Sequence, residues 1–109
     1  MGSALYISIK DKPGDLDTFM NGKALARAWD ELDALAPTLG ALPISKLCNA
    51  SWKSPAKGRP DFEKYLAHIR SNPASVPDAP AVIDDLEDVV RLIGEAEKLA
   101  TKWRLMLDY

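Results

Sequence analysis

Residues 81–102, AVIDDLEDVVRLIGEAEKLATK, decide how this chain must fold. At about 100° of rotation per residue, Val82, Leu86, Val89, Ile93, Ala96, Ala100 and Trp103 fall into one stripe. Asp84, Asp88, Arg91, Glu95, Lys98 and Lys102 fall on the opposite side. Ile83 and Val90 widen the apolar arc on one flank, and Leu92 and Leu99 widen it on the other. A single neighbour does not cover an arc that broad, so the spacing predicts a long helix packed along both flanks. Acidic residues early (Asp84, Asp85, Glu87, Asp88) and lysines late (Lys98, Lys102) complement the helix dipole. Asp78 is placed to cap it, with Pro80 in its first turn.

Outward from that helix the periodicity changes. Residues 103–109 alternate, with Trp103, Leu105, Leu107 and Tyr109 opposite Arg104, Met106 and Asp108. Residues 4–10 do the same, with Leu5, Ile7 and Ile9 opposite Tyr6, Ser8 and Lys10. Each run has the period-two signature of a strand with one buried face. Two strands alone make a marginal sheet, so helices are expected over one face. The outer edges of such a sheet need cover, and pairing with a second copy, a homodimer, would supply it.

Between the strands lie two further helical patterns. Residues 11–15, DKPGD, have turn chemistry, and Phe19 is expected to anchor the following loop. A second helix opens at Lys23, with Leu25, Ala28, Leu32, Leu35 and Leu39 at three-and-four spacing and Trp29 and Ala36 at the edge of that face. Pro37 removes one intrahelical hydrogen bond, so the helix is expected to kink or end near Ala36, with Gly40 completing the stop. Residues 43–48 suit one short turn, with Leu42, Ile44 and Leu47 inward. Asp61 opens a third helix, whose Phe62, Tyr65, Leu66 and Ile69 share a face and which Asn72-Pro73 ends. The expected fold is α+β, a single domain over residues 1–109, with three main helices packed on a small sheet formed by the N- and C-terminal strands.

At 109 residues the chain is the size of one domain. Its 47% hydrophobic and 28% charged content is that of a globular protein rather than a disordered one. A net charge of -2 exerts no whole-molecule pull on nucleic acid or anionic membrane, and neither is an expected partner. No apolar run approaches the about 18 residues of a membrane span. The single Cys48 has no intrachain disulfide partner, which fits a reducing compartment. With no signal peptide visible in MGSALYISIKDKPG, the cytoplasm is the expected location.

Little in the chain points to catalysis. Cys48 and His68 are the only residues of their kinds, and a nucleophile–base pair would need them to meet. Cys48 sits among Ile44 and Leu47 and reads as a packing group, and His68 falls on the polar side of its helix. No catalytic residue is assigned. Asp84, Asp85 and Asp88 share a stripe with Arg91, Glu95 and Lys98, which favours ion pairs over a cation site. HExxH, CxxC and EF-hand patterns are missing, so no metal or cofactor is expected. Asn21-Gly22-Lys23 at a helix start is explained by turn chemistry, since the glycine spacing of a P-loop is absent.

Two features carry a sharper expectation. By helical angle Glu97 lies within the apolar arc, which makes it the candidate buried ionisable group. Burial would raise its pKa, as in a tuned general acid or base. The plainer alternative is a carboxylate near the helix end that pairs with a neighbour or reaches water. Residues 49–60, NASWKSPAKGRP, form a connection long enough to suggest a functional or mobile loop. In it Lys53, Lys57 and Arg59 surround Trp52, candidate binding residues for phosphate, single-stranded nucleic acid or an acidic protein surface. A fully buried Trp52 in a pinned loop would remove that reading.

The order of segments, with ALYISI, DTFMNGKALARA, the Leu39-Gly40 pair, IDDLEDVV and the terminal WRLMLDY, resembles a group of small uncharacterised bacterial proteins. The resemblance implies a bacterial cytosolic protein and brings no catalytic residues with it. It matches least over residues 49–60. Two functional classes follow: a non-enzymatic interaction protein (adaptor, regulatory or immunity-type) with a protein partner, or a small-ligand binder or minor enzyme. The second requires a pocket between the long C-terminal helix and the sheet. A deep closed pocket reaching Glu97 would favour it; a flat exposed patch would favour the first.

Overall fold

The computed structural model describes residues 4–11, 22–49 and 51–108. The expected Pro13-Gly14 turn, the Phe19 anchor and Asn21 lie outside them. In chain order the elements are β1 (Ala4–Ile9), α1 (Lys23–Arg27), α2 (Trp29–Leu39), α3 (Ile44–Leu47), α4 (Arg59–Ser71), a 3-10 turn (Pro73–Ser75), α5 (Ala79–Lys98) and β2 (Trp103–Asp108).

The two chain ends zip together, as their alternation requires. β1 and β2 pair antiparallel, setting Leu5 opposite Leu107, Ile7 opposite Leu105 and Ile9 opposite Trp103. Leu5, Ile7, Ile9, Trp103 and Leu105 are buried toward the helices, while Tyr6, Ser8, Arg104 and Met106 of the other face stay half-buried. α5 is the central rod and packs on α4, α1 and β1. Val82, Leu86, Val89, Leu92, Ile93 and Ala96 along it are completely buried. Burying each of the larger side chains contributes about 1.5–3 kcal/mol. The architecture is α+β, with the sheet made from the N- and C-terminal strands.

Several boundaries differ from the pattern. The second helical stretch is kinked at Ala28 (φ -91°, ψ 7°) into α1 and α2. Pro37 does not end α2, because it sits in the last turn and forfeits only one bond. The helix runs on to Leu39 and stops at Gly40, whose φ of 65° lets the Ala41 N–H return to the Ala36 carbonyl at 3.0 Å. α5 ends at Lys98, five residues before the apolar stripe does at Trp103. Ala100 turns to φ 53°, and Lys10 N–H to Lys102 O (2.9 Å) and Thr101 Oγ1 to Lys10 O (2.9 Å) draw the chain into the sheet. Leu99 is left 41% exposed, and Trp103 belongs to β2 instead of the helical stripe. Asp78 precedes α5 as expected, but at φ 50° its side chain makes no capping bond.

α4 also holds the turn after α2. Asp61 Oδ1 accepts the Leu42 N–H at 2.9 Å, and the Tyr65 hydroxyl donates to the Leu42 carbonyl at 2.7 Å. Burial, with Asp33 and Asp61 nearby, pushes the Tyr65 pKa up to about 12. Among the described residues no helix is long and apolar enough to cross a membrane.

Candidate functional site

The loop of residues 49–60 is built around Trp103. The indole is completely buried, meets the Phe62 ring edge-on at 6.0 Å, and donates from Nε1 to the Ser54 carbonyl at 3.0 Å. Lys53 exchanges backbone bonds with Trp103 in both directions, at 2.8 and 3.0 Å. Its side chain then turns inward and is only 5% exposed. The ammonium donates to Asn49 Oδ1 (2.9 Å) and the Ser51 carbonyl (3.1 Å), 5.5 Å from the Trp103 ring centroid. Burial pushes the Lys53 pKa down, and Lys57 adds to that. Burial likewise pushes the neighbouring Cys48 thiol up, with Lys53 opposing.

The four candidate binding residues therefore part company. Lys53 is an interior prop. Arg59 opens α4 and pairs with Glu63 and Glu97, each at 3.3 Å, so its charge is balanced. Lys57 stands exposed. Trp52 is half-buried, neither fully covered nor free, and the Arg104 guanidinium lies 4.3 Å from its ring centroid.

Glu97 takes the plainer of its two readings, pairing near the end of α5 with Arg59 at 3.3 Å. Its side chain is 62% exposed in the last turn of α5, although Ala96 beside it is completely buried. The carboxylate faces Arg59 and lines an open cleft of about 400 Å³ between Pro55-Ala56 and the end of α5. The acidic stripe of α5 forms the expected pairs, Asp88 with Arg91 (3.3 Å) and Glu95 with Lys98 (3.5 Å). Asp85 is the exception. It is half-buried and accepts the Leu25 N–H at the start of α1, at 3.0 Å. Burial raises its pKa, the Leu25 bond lowers it, and the charges of Asp88 and Asp84 push it further up. Among the described residues no group of three His, Cys, Asp or Glu side chains gathers in metal-binding range.

The surface that remains is the outer face of the sheet. Tyr6 stands opposite Met106 and Ser8 opposite Arg104, all half-buried, with Trp52 flanking Arg104. The Nε atom of Arg104 is buried and, among the described residues, without a hydrogen-bond partner. Lys10 and Lys102, at the end of this face, are exposed and enter none of the described ion pairs. Sequence reasoning named Trp52 but missed Tyr6, Arg104 and Met106, and nothing brings Lys57 to this face. The alternation of both strands had already put those three on one side, and that was the available signal.

Fold and surface together define a small α+β protein whose terminal sheet presents an aromatic, methionine and arginine face with a basic rim. No family model, curated protein or solved structure matches the chain.

Proposed function

We propose that the chain is a non-enzymatic interaction protein, a bacterial cytoplasmic adaptor, regulatory or immunity-type subunit. In this reading it docks an acidic protein partner on the outer face of the terminal sheet. The observation that carries the reading is the Arg104–Trp52 stack beside the Tyr6–Met106 pair. Trp, Tyr, Met and Arg are the residue types enriched in interface centres, and Trp, Tyr and Arg dominate their energetics. An arginine already stacked on an indole has less freedom to lose on binding than a free one. The unpaired lysines around it steer an acidic surface toward the face and raise the association rate.

The test is affinity capture from the native cell with wild type, Trp52→Ala and Arg104→Glu as baits, followed by mass spectrometry. The expected result is an acidic-surfaced protein retained by wild type and lost from both variants. Loss of a hot-spot side chain costs about 2 kcal/mol or more, roughly 30-fold in Kd. Retention of the same protein by all three baits sinks the reading. The cleft beside Glu97 is what supports the alternative, a small-ligand binder or minor enzyme. It is open, and Arg59 already holds the carboxylate, so it supports that reading less.

A further inference from the structure

Trp52 reaches Arg104 from a segment that touches the sheet through a single backbone pair. Lys53 and Trp103 exchange both N–H···O bonds, at 2.8 and 3.0 Å, in an antiparallel bridge. Among the described residues, no backbone bond joins the chain before Lys53 to β2. Alternation sends Lys53 inward with Trp103 and leaves Trp52 outward against Arg104, the guanidinium carbon 4.3 Å from the indole centroid.

The bridge fixes the backbone on one side of Trp52, and the same lysine fixes the other. Its ammonium donates to the Ser51 carbonyl at 3.1 Å and to Asn49 Oδ1 at 2.9 Å, in a side chain only 5% exposed. Asn49 is itself anchored: its Nδ2 donates to the Lys46 carbonyl in α3 (3.0 Å), and its Oδ1 also accepts the Ser51 N–H (2.9 Å). We infer that the Lys53 ammonium is the positioning group of the docking face: it holds Trp52 over Arg104, and losing the charge releases the indole. A half-exposed arginine–indole contact is weak by itself, whereas hydrogen bonds from a charged donor are roughly twice as strong as neutral ones. The Trp103 ring, 5.5 Å from Nζ, likewise favours a cation over a neutral amine.

Burial disfavours that charge, and Lys57 in the same loop disfavours it further, while Cys48 at the end of α3 opposes them. Arg104, the nearest cation on β2, lies on the other face of the sheet. The clasp therefore gives up its proton at a lower pH than an exposed lysine would. Its part in docking rests on the reading proposed above, but the stack can be measured without a partner, so this test and the capture experiment fail independently.

The probe is the carbon-bound δ protons of Arg104, which an indole face shifts upfield in proton NMR of the full chain. Trp52→Ala defines their position without the stack. Lys53→Met keeps the apolar stem and deletes the charge. It is expected to move these signals at least halfway to their Trp52→Ala position, with the Trp103 Nε1–H signal retained as the check on folding. In wild type the upfield displacement is expected to fade as pH rises, before the ordinary lysine value of 10.5. Asn49→Asp sets a carboxylate against the ammonium, favours its charged form and carries the fade to higher pH. Arg104 signals unmoved in a folded Lys53→Met overturn the inference. So does a stack that persists through that pH range, or a fade whose midpoint ignores Asn49→Asp. If Lys53→Met does not fold, the Asn49→Asp titration decides alone.

Discussion

Asp85 pushes a carboxylate into the seam between α5 and the start of α1, where it accepts the Leu25 N–H while losing water. Its folded pKa is raised above the ordinary 3.8, so the folded chain holds the proton more tightly than the unfolded chain does. The resulting stability is fully present below 3.8 and is lost as pH rises through the raised value. Asp85→Asn keeps an acceptor and removes the titration. Urea unfolding of both proteins across that window should show wild type losing ground to the variant as pH climbs; a constant difference would contradict the burial argument. Gly58 offers a second residue-scale test. At φ 95° a Cβ would lie 2.4 Å from Cζ2 of the completely buried Trp103. Gly58→Ala should cost about 2–4 kcal/mol, read from the denaturation midpoint. Neither effect is legible from sequence. Asp85 sits in an apparently solvated stripe, and Gly58 in apparently ordinary loop chemistry. Both depend on what folds against them from far along the chain.

At the scale of elements, α4 acts as a brace for the end of α2. Tyr65 is completely buried and spends its hydroxyl on the Leu42 carbonyl. Tyr65→Phe leaves that carbonyl without its donor while preserving the ring, so a loss of about 1 kcal/mol is expected in thermal or urea unfolding. No loss would mean that water satisfies Leu42 equally well. The elements themselves were mostly visible in the chain. Apolar spacing located α5, α4 and both strands, because period follows directly from which face is buried. It could not locate the end of α5, since Leu99 and Ala100 continue the helical pattern while Lys10 and Lys102 compete for the backbone. Azimuth could not choose between the two readings of Glu97 for the same reason: it places a residue on a face but does not say whether the neighbour extends that far.

At the scale of the whole molecule, the decisive placement is the loop of residues 49–60, whose composition suggested a ligand site. It is a third layer of support for the sheet, with Lys53 inside, Arg59 balanced, and Trp52 delivered to Arg104. Composition shows the charges in that loop but not the acids or rings they meet, Glu97 and Arg104 lying far along the chain. The capture experiment belongs to this scale, because it asks what the assembled sheet touches. The pairing of β1 with β2 has one more consequence, for synthesis. β1 leaves the ribosome long before the strand that completes it, and Trp103, which fills the core, emerges with that later strand. Until then a run of alternating apolar residues with open backbone groups waits without its match, a state prone to wrong pairings. The sheet therefore cannot form until translation has passed β2, some hundred residues after β1.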